Sequence, residues 1–545
     1  MEIPHGPERK PWRETLSDMA VAENGELLII PPSRDPLQLS SYPSVPGITQ
    51  ELYQLSSSGL TSQQVEIALG ETREKVDHVT THMLGFQANE TPHFPFLSQL
   101  CHMHIANEGD PFNQSQSSIS CDSKWLERNV LDYVASLWHA KWPHDPSDPD
   151  SYWGYLLPIG STEANIFSVC TARDYLSGKF VVSQTPDHGN TKSYLQGKFE
   201  VDSSNAHCPV SFYSTDAHFG VAKALQVCDI PTFHEVGREL YPEENPLGGA
   251  WPLSVPCENG DAGSGSIDIE VLTKYVDFFS GKGHPIIIVF NYGSTFKGAY
   301  DDVAAAEEAL LPVLKKNGMY ERRVVHPVGE VVVTRRGFWF HVDAALAGFY
   351  MPFVEMGYGR GLIEKKPGPV FDFRLESVSS VVASVAKHLG SPWPCGVYIT
   401  KTGTQLALTA DLEPTFSCSR NGHIAPLLWS HFSSKDFEYQ VRRISHMLEV
   451  TDYAEGKLKG LEQELGKDLW VSRTPLSLAI YFKKPNPDIF RTYSLSSKTL
   501  YVCGEVRVYC HIYVMEHVVK QSIDSFLEDL KLPGAFPAQG PEELQ

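Results

Sequence analysis

The sequence predicts an α/β protein, a large and mostly parallel sheet covered by helices, followed by a smaller α+β domain. Two observations carry this. Between about residues 96 and 400, short apolar runs at 210–213, 286–290, 338–342 and 397–400 alternate with segments of helical periodicity, the pattern of parallel strands joined by crossover helices. After about residue 401 the pattern is mixed, with a long amphipathic helix at 437–461, strands at 476–482 and 506–514, and a closing helix at 516–530.

Ahead of the sheet, a polar lead containing Pro31, Pro32, Pro36, Pro43 and Pro46 passes into a helical pattern over 48–82. Residues 1–95 therefore read as an arm, 96–400 as the large domain and 401–545 as the small one. The Gly, Pro and Ser-rich stretch 240–266 reads as an excursion on the surface.

Composition narrows the function. At 545 residues, 42% hydrophobic and 20% charged, the chain is long enough to bury a cofactor in an ordinary globular core. Its net charge of −21 repels phosphate backbones and anionic lipid, so neither nucleic acid nor a membrane is expected as a partner. Met1 to Met19 lack the apolar core of a secretory signal, and no apolar run has the length of a membrane span, so a cytoplasmic location is expected. The 10 cysteines show no CxxC pair, which reads as reduced thiols with no metal site.

In open parallel sheets the loops at the carboxyl ends of the strands build the ligand site, so polar residues directly behind apolar runs are the first candidates. Gly160-Ser-Thr-Glu-Ala-Asn165 stands before a helical segment. Free N–H groups at a helix start, with the hydroxyls of Ser161 and Thr162 beside them, suit a phosphate; a plain helix cap explains Ser161-Thr-x-Glu as well. His218 follows the run at 210–213 and could stack on a conjugated ring, or be structural. The turn after 286–290 offers Ser294 or Thr295 to ligand oxygens.

Asp343 ends the run at 338–342, where a lone carboxylate is costly unless a cation meets it. A protonated pyridine nitrogen is such a cation, and the small Ala344 and Ala345 would let a ring lie flat; a helix cap is the alternative. Lys387 lies between apolar residues and a Gly/Pro turn, where burial would favour the neutral amine that an imine linkage requires. A solvated loop lysine explains that segment alone equally well.

The order of these segments, phosphate loop, stacking histidine, Gly-Ser-Thr turn, strand-end aspartate and a lysine 44 residues further on, resembles that of the group II pyridoxal-5′-phosphate (PLP)-dependent amino-acid decarboxylases. The resemblance extends to Asn107-Glu-Gly-Asp-Pro-Phe112, similar to the histidine-decarboxylase branch, and to Trp153-Gly-Tyr155, Phe371-Asp-Phe373, Pro394-Cys-Gly-Val397, Ser419-Arg-Asn-Gly422 and Val514-Met-Glu-His-Val518. It implies the aspartate-aminotransferase fold (fold type I) and a homodimer with shared active sites. It makes Lys387 the lysine that carries PLP, Asp343 the partner of the ring nitrogen and His218 the ring stack. Ser161, Thr162 and Ser384 would hold phosphate and Ala345 would lie under the ring, while Thr295, from the turn after 286–290, is the residue expected to face cofactor oxygens.

Two departures stand out. Ala386 and His388 flank the lysine where the family usually has a histidine before it and an aromatic residue after it. The family's catalytic-loop tyrosine is missing from 410–416. The expected activity is decarboxylation of an L-amino acid, with the branch motifs and Phe94-Pro-Phe96 leaning toward tryptophan, tyrosine or histidine. Without the tyrosine, a substitute acid such as His388, His423 or a residue of a partner subunit would return the proton. An aldehyde-forming oxidative reaction is the alternative, and a non-catalytic scaffold a third reading.

Overall fold

The computed structural model of the chain describes residues 48–405 and 415–537, apart from 56, 91–93, 95, 113–120, 184–191, 202 and 330. It divides into two compact units, 1–81 and 82–545. The proline-rich lead lies outside the described residues.

In the first unit the helical pattern expected over 48–82 is divided. A single 3-10 turn covers Gln50–Tyr53, and the helix begins only at Ser62, running Ser62–His82. The sequence carries the reason: Gly59 takes a positive φ of 71°, and Thr61 starts the helix by accepting from the Gln64 N–H at 3.3 Å while the Gln64 side chain accepts from the Thr61 N–H at 2.8 Å.

The second unit is built on a six-stranded sheet of β1 (Tyr152–Leu157), β2 (Val210–Tyr213), β3 (Ile286–Asn291), β4 (Phe338–Asp343), β5 (Val378–Ser384) and β6 (Gly396–Lys401), in spatial order β1-β6-β5-β4-β3-β2. Strands β2 to β5 run parallel, and β6 lies antiparallel to both of its neighbours. Buried on both faces, β3 and β4 read as continuous apolar runs. Helix α1 (Ser161–Leu176) crosses the face over β4, β5 and β6, and α2 (Phe219–Val227) packs on α1.

The C-terminal part has a long helix α3 (Phe437–Leu465), capped by Asp436 and ended by Gly466 at a φ of 59°. It also has a three-stranded antiparallel sheet of Ala479–Lys483, Glu505–Tyr513 and Ser496–Val502, and a last helix α4 (Lys520–Lys531). The middle strand of the chain here, Ser496–Val502, was not expected; it alternates exposed and buried residues and turns into Glu505–Tyr513 at Cys503 and Gly504. The stretch 240–266 is no simple surface excursion. Trp251, Val255 and Cys257 are buried, and the Trp251 indole N–H donates to the Tyr241 carbonyl at 2.9 Å, anchoring the loop on the core.

Two distant sequence motifs meet. Ala106–Glu108 pairs antiparallel with Ser419–Asn421, and Arg420 beside it is buried against buried Glu127. The guanidinium also donates to the carbonyls of Gly109 at 2.8 Å and Leu156 at 3.2 Å, while Glu127 accepts from the Leu156 N–H at 3.0 Å and the Asn107 amide at 2.8 Å. No helix among the described residues is long and apolar enough to cross a membrane.

Candidate active site

The parallel strands deliver their polar ends to one edge of the sheet. Asp343 closes β4 level with Asn291 of β3 and Val382 of β5. Lys387 lies just past the end of β5, in the return that leads to β6. His218 follows β2 and caps α2, its Nδ1 accepting from the Gly220 N–H at 3.1 Å.

Electrostatics tie these three together. Lys387 keeps part of its side chain accessible, yet burial of its amine lowers the pKa, and the carboxylate of Asp343 opposes that shift only in part. Burial lowers the pKa of His218 too, with Lys387 adding to the effect and Asp343 working against it. Lowering the pKa of a lysine raises the share of its nucleophilic, neutral amine.

Asp343 is 6% exposed. Its Oδ2 accepts from the Asn165 amide at 2.8 Å and its Oδ1 from the Ala345 N–H at 3.1 Å. It caps no helix, since the next one starts at Met351 behind Tyr350. Among the described residues no guanidinium or ammonium bonds to this carboxylate, so a buried negative charge faces the site without a cationic partner.

Ser161 and Thr162 occupy the first turn of α1. The cap is Gly160, at a φ of 120° and with no side chain to offer, so the two hydroxyls are not used as caps. Glu163 reaches back instead and accepts from the Ile159 N–H at 2.8 Å. A Cβ on Gly396 of β6 would sit 2.7 Å from the Gly160 carbonyl oxygen, so glycine lets the helix start lie directly on the sheet. A Cβ on Gly220 would lie 3.2 Å from Thr162 Oγ1, which sets the starts of α1 and α2 at one corner. In the turn after β3, Ser294 is committed, its hydroxyl donating to Asp216 at 2.5 Å. Asp216 in turn holds Lys498 at 2.6 Å. Thr295 is half-buried, with its carbonyl accepting from the Tyr513 hydroxyl. Ser384 is buried, and its N–H donates to the Ala345 carbonyl at 3.2 Å.

Sequence reasoning passed over a set of residues behind Asp343. Asn165 Oδ1 meets His341 Nε2 at 2.9 Å. His341 Nδ1 lies 3.0 Å from Ser168 Oγ and 2.9 Å from Ser380 Oγ. The two hydroxyls are 2.8 Å apart, and the Trp339 indole N–H donates to Ser380 at 2.9 Å. Burial holds the His341 pKa down to about 4. The signal was available: His341 and Asp343 are two apart on a strand, hence on one face.

The residues around Lys387 differ in kind. His388 is buried; its carbonyl accepts from Arg443 at 2.6 Å and from Asn89 at 3.1 Å, and its ring tilts against Tyr350 at 5.6 Å. Burial first, then the Arg443 charge, keeps the His388 pKa well below the usual imidazole value. His423 has both ring nitrogens engaged, Nε2 with the carbonyls of Leu100 and Met103 at 3.1 Å each and Nδ1 with Asn421 at 3.2 Å. Phe94 is half-buried with its ring 6.1 Å from that of His431. Residues 410–414 of the shortened loop lie outside the described residues.

A lysine amine whose pKa burial lowers, a buried carboxylate with no bonded cation among the described residues and a helix start with two hydroxyls, all at one sheet edge, suit a phosphorylated pyridine aldehyde. The fold and the site together define a PLP-dependent enzyme of fold type I. Residues 262–426 match the family model described as the pyridoxal-dependent decarboxylase conserved domain. Over 91% of its length the chain is 38% identical to L-methionine decarboxylase from Streptomyces sp. 590, covering 99% of that chain with a TM-score of 0.83. It is also 26% identical to serine decarboxylase 1 of Oryza sativa subsp. japonica, over 83% of this chain and 72% of the relative. With histidine decarboxylase of Vibrio campbellii it shares 24% identity, over 82% and 89% respectively. The chain belongs to the group II PLP-dependent amino-acid decarboxylases, and is a carboxy-lyase with PLP as its cofactor.

Proposed function

We propose that the chain converts a neutral L-amino acid with an extended, unbranched side chain, L-methionine foremost, to its amine and CO₂. The substrate rests on the 38% identity with L-methionine decarboxylase, which exceeds the 24% to 26% shared with the histidine and serine enzymes. We prefer this to the lean toward tryptophan, tyrosine or histidine that the branch motifs and Phe94 suggested, of which histidine keeps the support of the histidine decarboxylases among the relatives. The chemistry rests on one observation, the buried amine of Lys387 within electrostatic reach of Asp343 and His218.

Bound PLP supplies the electron sink that allows the bond between Cα and the carboxylate to break. The amine of Lys387 would hold the cofactor covalently. Asp343 would meet the ring nitrogen and favour its protonated form. His218 and Ala345 would pack against the ring. Ser161, Thr162 and Ser384 would hold the phosphate, and Thr295 would offer its hydroxyl to cofactor oxygens. His388 and His423 are poor candidates for returning the proton to Cα: the first stays neutral, and both nitrogens of the second are engaged. The amine remains the proposed product, with the proton coming from another group.

In this reading 96–400 form the cofactor-binding domain, 401–545 the smaller one and 1–95 an arm, in a cytoplasmic homodimer with shared sites. Mixing a Lys387→Ala chain with a chain altered in a cross-subunit loop then restores activity, and an active monomer in sedimentation contradicts it. The substrate test incubates holoenzyme under air with methionine, histidine, serine, tryptophan and tyrosine, and counts CO₂, amine and peroxide. Methionine is expected to have the highest kcat/KM with amine equal to CO₂. A preference for histidine or an aromatic substrate overturns the substrate; peroxide equal to CO₂ overturns the product.

A further inference from the structure

Behind Asp343 lies a buried chain of hydrogen bonds whose hydrogens can be placed by elimination. Asn165 sits between two groups, with Nδ2 toward Asp343 Oδ2 at 2.8 Å and Oδ1 toward His341 Nε2 at 2.9 Å. An amide oxygen only accepts, so His341 Nε2 must carry a hydrogen. With its pKa held to about 4, the ring is neutral at physiological pH, so Nδ1 is bare and must accept. The hydroxyls of Ser168 and Ser380, 3.0 and 2.9 Å from Nδ1 and 2.8 Å from each other, have two hydrogens for three contacts, so one donates to Nδ1 and the other to its neighbour, and the indole N–H of Trp339 donates to Ser380. Every member is buried: Asn165 is 3% exposed, and Ser168, Trp339, His341 and Ser380 are 0% exposed.

The chain has a direction. Each group donates toward the sheet edge, and the last donor, the Asn165 amide, reaches a carboxylate that also accepts the Ala345 N–H. Reversing it whole would put the ring hydrogen on His341 Nδ1, let Nε2 accept from the Asn165 amide, and turn Asn165 Oδ1 toward Asp343, which then needs a proton of its own. The Nε2–H form of His341 therefore goes with the ionised form of Asp343, and the Nδ1–H form with a protonated one. Direct readout by a charged group is avoided: a cation in this place would compete with the ring nitrogen for the same carboxylate.

We propose that His341 and Asn165 are positioning residues that keep Asp343 ionised and aimed, and that they thereby fix the protonation of the cofactor's ring nitrogen. The proposal rests on Asp343 being the partner of that nitrogen. Neither side chain touches substrate. Loss of either should lower kcat by about 10- to 100-fold, the scale seen when supporting hydrogen bonds behind functional ligands are removed, with little change in KM.

The test loads the enzyme with PLP labelled with ¹⁵N in the ring and reads the nitrogen's chemical shift across pH, together with kcat and KM. Wild type is expected to show a protonated nitrogen throughout the stable range. His341→Leu and Asn165→Leu are expected to lower the pH at which that proton is lost. His341→Gln is expected to restore it, because its amide can donate to Asn165 and accept from a serine in the same sense as the neutral ring. Circular dichroism and PLP content identify variants that fail to fold, and Asn165→Ala then replaces Asn165→Leu. A protonated nitrogen that is unchanged in the leucine and alanine variants overturns the positioning role while leaving Asp343 in place. An unprotonated nitrogen in wild type, or one indifferent to Asp343→Asn, overturns the reading of Asp343 itself.

Discussion

The two sides of Lys387 are built on opposite plans. Toward Asp343, the buried polar atoms of Asn165, His341, Ser168, Ser380 and Trp339 meet in one connected chain. Toward His388, several buried polar atoms, His388 Nδ1, His431 Nε2 and Gln440 Nε2, have no hydrogen-bond partner among the described residues. A saturated network has one arrangement and resists change, whereas buried donors and acceptors not satisfied within the chain are costly unless something else bonds to them. The electronic side of the site is fixed by the chain. The opposite side is where a water, a substrate or a second subunit has polar atoms to satisfy.

The comparison can be broken at its centre. Lys387→Ala should lower kcat on the order of 10⁴-fold or more, because covalent anchoring of the cofactor goes with it. Borohydride reduction of the native enzyme followed by peptide mapping should place the cofactor on Lys387; label on another lysine sinks the assignment. Asp343→Asn should fold and retain PLP more weakly while kcat falls on the order of 10³-fold. A variant that unfolds yet keeps normal residual activity would return Asp343 to a structural role.

Stability sharpens the contrast at smaller scale. Ser380→Ala leaves the Trp339 N–H buried and unpaired and should cost about 1–3 kcal/mol in urea unfolding. Gln440→Met removes an amide nitrogen with no partner among the described residues together with a long 3.5 Å bond from Arg443, at nearly constant volume, and should cost less than about 1 kcal/mol. Equal losses for the two would erase the distinction.

The smallest effect is in pH. Burial holds His341 and His511 to about 4 and His431 to about 3. Their folded pKa values lie below the unfolded value of about 6.5, so the unfolded chain takes up protons first, and stability is lost as pH falls through that window. Asp301 works the other way. Burial raises it to about 7, so the folded chain retains a proton that the unfolded chain releases above its ordinary carboxyl value. The histidines outnumber it, and the melting temperature should fall between pH 7 and pH 5. A rise would show that Asp301 and other carboxyls dominate.

Much of the sheet was legible because fully buried parallel strands are written as apolar runs: the runs at 210–213, 286–290, 338–342 and 397–400 fall within one residue of β2, β3, β4 and β6 at each end. The two strands passed over have identifiable reasons. In β1 a glycine interrupts the run, and the structure needs it, because a Cβ on Gly154 would lie 2.3 Å from the Tyr398 carbonyl oxygen. In β5 serines break the apolar pattern, one of them Ser380, whose hydroxyl belongs to the network behind Asp343. The candidate site residues were legible through their order along the chain. Asn165 and His341 stood inside the same motifs unread, since nothing linear says that a helix face and a strand face, 176 residues apart, will meet.

The ion pair of Glu127 and Arg420 imposes an order on how the molecule is made. The carboxylate is synthesised first, and its cation follows 293 residues later. Burying it early would leave a charge without a counterpart, at a cost of several kcal/mol. The strand that this carboxylate steadies, β1, therefore has to wait on the ribosome for the last quarter of the chain, while β2 to β5 can already associate as they emerge. Nascent chains stopped just before and just after Arg420 should differ sharply in protease resistance along this one edge of the sheet.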